Sequence, residues 1–182
     1  MTSDDTALLE RARGGDRHAL AMIYDEYSPA IYRYLYRRVG NTGLAEDLTG
    51  QVFLKLLEAF QRDQLWNSSF RGWLYRIAHN LVVDHYRKQG DRNQVELEET
   101  LESDDLGPEH GAELTIRFQK IRGALNTLTE EQAQVILLRF GEGLSNREVG
   151  EIMARSEGAI KALQHRALSA LRRLLLEEEV EG

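Results

Sequence analysis

Apolar residues recur at steps of three and four along most of this chain, which predicts a nearly all-helical protein. Residues 4–13 read as a short helix closed by Gly14 and Gly15. Asp16 is placed to cap a second helix running to about Val39, with Leu20, Ile23, Tyr24, Tyr27, Ile31, Tyr34 and Leu35 on its apolar stripe. Pro29 falls inside that stretch and predicts a kink or a break. The run Gly40-Asn41-Thr42-Gly43 predicts a turn, and the next helix spans about Leu44 to Phe60. Residues 61–69 read as a loop, and a fourth helix follows from Phe70 to about Lys88, with Trp73, Leu74, Ile77 and Leu81 expected in its core. Helices are predicted again at about 112–126, 129–140, 145–153 and 157–176. Two of these open with a hydroxyl followed three residues later by a Glu or Gln, Thr129 with Gln132 and Ser145 with Glu148, the pattern of a capping box. Ser156 is a good N-cap for the last.

Between the two helical blocks the pattern fails. Residues 91–113 hold nine acids against the single base Arg92, few large apolar residues, and Gly107-Pro108. Such a stretch cannot offset its ordering entropy by burial, so it is expected to be a flexible acidic linker. The predicted organisation is therefore two small helical domains, residues 1–90 and 112–182, joined by a linker at 91–111.

Charge distribution changes what the formal net charge of -7 implies. The linker and the tail acids Glu177, Glu178, Glu179 and Glu181 carry the excess, whereas residues 114–176 hold ten Lys or Arg against six acids. Screening confines each field to roughly 8–10 Å, so the local basic patch decides whether phosphates are attracted. The chain has no cysteine, which excludes disulfides and thiolate metal sites. Its five histidines show no metal-ligand spacing, and no cofactor is expected. No stretch resembles a signal peptide or reaches membrane-spanning length, so a soluble cytoplasmic protein without membrane insertion is expected. No nucleophile elbow or phosphate loop is present, and an enzyme is not expected.

Three segments carry candidate chemistry. Residues 145–153 and 157–176, joined by a short turn, read as a helix-turn-helix, in which the second helix enters the DNA major groove while the first braces it. Leu144, Val149, Ile152, Ile160, Ala167 and Leu171 fall at burial spacing; Lys161, His165 and Arg166 lie on the polar side. The alternative is an ordinary helical hairpin with a solvated basic face. The fourth helix interleaves aromatics with Arg71, Arg76, Arg87 and Lys88, a combination suited to stacking on unpaired bases. The loop before it places Asn67, Ser68 and Ser69 between Trp66 and Phe70, as a pocket for one extruded base or as an anchored surface loop. On the helix at 44–60, Asp47, Gln51, Lys55 and Glu58 surround an apolar strip that either binds a protein or packs internally.

Taken in order, four stretches resemble one family: Gly15 to Leu20 continuing through Arg38; Ala45 to Lys55; Phe70 to Asn80 with Asp84 and Arg87; and Leu128 to Leu175. The chain resembles the bacterial RNA polymerase sigma factors of the extracytoplasmic-function group. That resemblance implies a transcription initiation factor whose partners are core RNA polymerase, promoter DNA and an anti-sigma factor. It implies polymerase contacts at Asp47, Gln51, Phe53, Leu54 and Lys55. It implies recognition and melting of the start-proximal promoter element by Asn67, Ser68, Ser69, Arg76, Asn80, Asp84, Arg87 and Lys88, with Trp73 as a structural support. It implies contacts to the upstream element by Arg147, Ser156, Glu157, Lys161, Gln164, His165 and Arg166. The chain departs from the family pattern at the turn, with Ala154-Arg155 in place of a glycine and an apolar residue. It departs again on the recognition helix, where Ala159, Ala162 and Leu163 leave apolar contact to thymine methyls as one route of readout.

Overall fold

The structure is a computed structural model and describes residues 3–62, 69–90, 123–125 and 127–181. The expected linker at 91–111, most of the helix expected at 112–126, and Trp66, Asn67 and Ser68 lie outside those residues. Every regular element among the described residues is helical: α1 (Ser3–Arg13), α2 (Arg17–Val39), α3 (Thr42–Gln61), α4 (Phe70–Gly90), α5 (Glu130–Ile136), α6 (Asn146–Met153) and α7 (Glu157–Glu181).

In the N-terminal body α2 packs against α1, α3 and α4, and α3 against α4. Helix starts and stops follow local chemistry. Asp16 accepts hydrogen bonds from the backbone N–H of His18 and Ala19, so it caps α2. The Arg11 guanidinium also donates to it at 2.7 Å and holds its carboxyl below the usual carboxylate range. A folded pKa below the ordinary 3.8 means this contribution is complete above that value and fades as the pH falls through the lowered one. Gly40 ends α2 with φ 67°, a left-handed conformation that favours glycine. Asn41 immediately caps α3 by accepting from Leu44 N–H at 2.8 Å. The predicted turn is thus only Gly40-Asn41, and Thr42 and Gly43 already belong to α3.

Pro29 does not break α2. It lies on the exposed side, where solvent can take the place of its absent N–H, while Ile23, Ile31, Tyr34 and Leu35 are buried on either side of it. Aromatic edges lock the core: Tyr27 meets Phe70 at 5.2 Å between ring centroids, and Tyr34 meets Tyr75 at 5.4 Å, both edge to face.

In the C-terminal body α5 packs against α7. Thr129 and Gln132 form the expected capping box at the start of α5. The single helix predicted over 129–140 instead changes character after Ile136: residues Leu137–Gly141 form a π-helical turn. Glu142 N–H reaches back five residues to the Leu137 carbonyl, and Leu144 N–H closes on the Leu138 carbonyl. The widened turn buries the adjacent Leu137 and Leu138 together and turns Phe140 outward.

Ala154 ends α6 with φ 53°, and Arg155 N–H donates to the Gly150 carbonyl at 2.9 Å. These are the marks of a Schellman closure, whose left-handed position normally carries glycine. An alanine there carries a strain of roughly 1–2 kcal/mol. Ala154→Gly is therefore expected to stabilise the C-terminal body by about 1 kcal/mol, read as a higher urea midpoint with an unchanged slope.

Candidate nucleic-acid interface

Helix α3 divides cleanly into two faces. Ala45, Leu48, Thr49, Val52, Phe53, Leu56, Ala59 and Phe60 are buried. Asp47, Gly50, Gln51, Leu54, Leu57 and Glu58 are exposed and, at helical spacing, share one strip. Leu54 is 60% exposed and Leu57 39%, an apolar pair ringed by polar groups. Lys55 is exposed to one side of it. Phe53 departs from the expected contact set. It is 8% exposed, with its ring 4.8 Å from that of Tyr24, so it braces the strip from beneath and does not belong to its surface. Leu57 was legible only through its i+3 relation to Leu54.

On α4 the buried stripe is displaced from the expected one. Phe70, Leu74, Tyr75, Ala78 and Val82 are buried, whereas Trp73, Ile77 and Leu81 are only half-buried. The small Gly72 and Ala78 face inward, and the Tyr75 ring turns in to meet Tyr34. The rotation puts Trp73, Arg76, Ile77, Asn80, Asp84 and Arg87 on one accessible face, at steps of three and four. Along it Asn80 is exposed, Asp84 and Arg87 form an ion pair at 3.2 Å, and Lys88 extends the cationic end. Such a face offers an indole edge, an amide and cations in a row, the inventory for holding unpaired bases and their phosphates. Ser69 caps α4: its Oγ accepts from Gly72 N–H at 3.1 Å and its carbonyl from Trp73 N–H. Tyr86 donates its hydroxyl to the Arg38 carbonyl and ties the far end of α4 to the end of α2.

The third face is built by α6, its turn and α7. The Ser145–Glu148 box is complete: Ser145 N–H donates to Glu148 Oε2 at 2.8 Å, and Glu148 N–H donates to Ser145 Oγ at 3.2 Å. Arg139 reaches over the preceding loop to donate to the Leu144 carbonyl. Ser156 Oγ accepts from Ala159 N–H, so Ser156 caps α7 as expected. Arg155 pairs with Glu131, a link from the turn to α5. Leu144, Val149, Ile152, Ile160 and Ala167 are buried and Leu171 half-buried.

Leu163 is buried at 6% exposure, which removes it from the base-contacting set; the thymine-methyl route is left to the exposed Ala162 and half-buried Ala159. Gln164 is half-buried at the edge, whereas Arg147, Glu157, Lys161, His165 and Arg166 are exposed. Glu157 and Lys161 form an ion pair at 2.8 Å, and that hydrogen bond holds the Glu157 carboxyl below its usual range.

The chain has relatives among known proteins. Residues 23–92 match the Sigma-70 region 2 family and residues 124–173 the Sigma-70 region 4 family. Over 177 residues the chain is 30% identical to the ECF RNA polymerase sigma factor SigW of Bacillus subtilis, covering 92% of this chain and 94% of SigW. The chain belongs to the ECF sigma factors of RNA polymerase. This sigma factor is also 38% identical over 170 residues to BldN of Streptomyces coelicolor, covering 92% of this chain and 64% of BldN. The solved structure of CnrH, in complex with the cytosolic domain of CnrY, superposes with a TM-score of 0.72 at 20% identity. It covers 94% of this sigma factor and 96% of CnrH, so the two share a fold. No helix among the described residues of this sigma factor is long and apolar enough to cross a membrane.

Proposed function

We propose that this sigma factor works in the cytoplasm by holding three surfaces to one assembly: the α3 strip on core RNA polymerase, the α4 face on the start-proximal promoter element, and the α6–α7 unit on the upstream element. Sigma factors direct RNA polymerase to promoters, and this chain carries region 2 and region 4 in that order. The single observation that carries the reading is the pair Leu54 and Leu57, left in solvent beside a helix whose other face is fully engaged in the core. Exposed apolar anchors within a polar rim are what a protein interface concentrates its binding energy on.

The domain division follows from the same reading: residues 1–90 bind polymerase and melt DNA, 91–111 connect, and 112–182 read the upstream element. The work is done by binding energy and not by covalent chemistry. Unpairing and unstacking a base costs a few kcal/mol, offset by contacts to the extruded nucleotide. Polymerase holds both DNA-binding modules on one scaffold, and the resulting effective concentration lets each be weak alone. Two structural relatives were solved as complexes, CnrH with the cytosolic domain of CnrY and the Bartonella quintana RpoE with the anti-sigma factor NepR. An anti-sigma partner is accordingly part of the proposal for this chain.

Run-off transcription with core polymerase on a genomic fragment library tests the proposal. Specific transcripts that require the sigma factor are expected; none on any template would overturn it. Arg166, exposed on α7 with its Nε bonded to the Ala162 carbonyl, is assigned to a phosphate. Arg166→Ala is expected to weaken upstream-element binding across all sequences and to lower the slope of log affinity against log salt by about one. An unchanged slope removes Arg166 from the phosphate contacts.

A further inference from the structure

The accessible side of the first two turns of α7 carries one acid among basic and small residues: Glu157, Gly158, Lys161, Ala162 and His165 are all exposed. Glu157 Oε1 accepts from Lys161 Nζ at 2.8 Å, with side chains 49% and 63% exposed. The Arg147 charge also acts on Glu157, so the carboxylate is ionised at neutral pH. A fixed negative charge facing a polyanion is unfavourable unless the DNA supplies a hydrogen to it. In the major groove only two groups do so, the N4 amino group of cytosine and the N6 amino group of adenine.

Lys161 decides between them. A guanine presents two adjacent acceptors, O6 and N7, which one lysine can take together, and its partner cytosine presents the N4 donor on the same pair; an A·T pair splits its acceptors, adenine N7 and thymine O4, to either side of the N6 donor. The Glu157–Lys161 couple is an acceptor beside a donor, one helical turn or about 6 Å apart along the axis. Their charged ends nevertheless meet at 2.8 Å, the scale on which cytosine N4 and guanine O6 face each other within one base pair, about 2.9 Å. The helix surface beside the couple is open: an added Cβ at Gly158 would meet no atom within 4 Å. Exchanging the Glu–Lys contact for base contacts costs little, because an exposed ion pair is weak in water.

We propose that Glu157 and Lys161 together are the specificity-determining pair of the upstream-element reader and select a C·G base pair, the cytosine amino group on Glu157 and the guanine on Lys161. This rests on the reading of α6–α7 as the promoter-binding unit.

The test uses the full chain with core polymerase and a promoter library randomised across the upstream element, with the transcribed templates sequenced. Wild type is expected to enrich C·G at one position. Glu157→Ala and Lys161→Ala should each relax that position about tenfold and leave the others unchanged. Glu157→Gln should move the preference there from cytosine toward adenine, since a glutamine amide pairs with adenine N6 and N7. A helix-terminal charge with no part in readout gives no such switch. The proposal is overturned if wild type enriches A·T at the position these variants affect. It is also overturned if Glu157→Ala and Glu157→Gln raise affinity for all sequences equally with preferences intact. Enrichment of nothing by wild type would overturn the promoter-reading function itself, a result distinct from either.

Discussion

Leu54→Glu is expected to abolish binding to core polymerase while leaving the fold intact. Leu54 is 60% exposed, so the substitution removes almost no buried contact, and surface changes of this kind usually stay within about 0.5 kcal/mol of neutral. At an interface the same change acts twice. It deletes an apolar anchor and places an unpaired carboxylate where the partner closes over the strip, beside Asp47 and Glu58. Central interface residues commonly cost about 2 kcal/mol or more when truncated, so a loss of about thirtyfold or greater is expected in a titration of labelled polymerase. Phe53→Ala is the control. Its ring is buried against Tyr24, and removing it should cost about 3 kcal/mol of stability, with binding lost only as the N-terminal body unfolds. Full polymerase binding by Leu54→Glu would move the docking surface elsewhere.

The contrast between Leu54 and Phe53 marks what the chain discloses about itself. Local chemistry was legible: Asp16, Thr129 with Gln132, Ser145 with Glu148, and Ser156 all cap the helices that their side chains predict. Those hydrogen bonds form within three residues and need no tertiary information. Facing was less legible. Phe53 and Leu54 are adjacent, both apolar, and about 100° apart on the helix, and only the position of Tyr24 decides which turns inward.

The stripe on α4 failed for the same reason. Trp73, Ile77 and Leu81 have burial spacing, but so have Phe70, Leu74, Ala78 and Val82, and the second set wins because Tyr34 and Tyr27 receive Tyr75 and Phe70. The displacement bears on the site, since it leaves Trp73 half-buried on the same face as Asn80. Leu163 was misplaced on α7 for want of the helices that cover it. The π-helical turn at Leu137–Gly141 was not legible at all, because a five-residue hydrogen bond answers to the packing of Leu137 and Leu138 and has no signature in spacing.

Gly150→Ala is expected to damage the promoter-reading unit more than any surface change. A Cβ at position 150 would stand 2.7 Å from the Arg155 backbone oxygen, closer than real Cβ atoms come, so backbone must move. The turn has little freedom to yield. Arg155 N–H donates to the carbonyl of Gly150 itself, the Arg155 side chain pairs with Glu131, and Val149 and Ile160 are buried on either side. Relief therefore requires opening the Schellman closure and displacing Ser156, which caps α7, together with the first turn that carries Glu157 and Lys161. Overpacking of this kind costs about 1–3 kcal/mol, and the geometric consequence is larger than the energetic one, because base readout depends on the placement of that single turn. The expected result is a lowered unfolding midpoint, loss of upstream-element selection, and polymerase binding at the wild-type level, since the α3 strip is untouched. Ala154→Gly in the same turn should do the reverse to stability and leave promoter selection unchanged. If Gly150→Ala melts and selects promoters like wild type, the close approach of α6 to the turn is not what positions α7, and the helix-turn-helix assignment loses its structural basis.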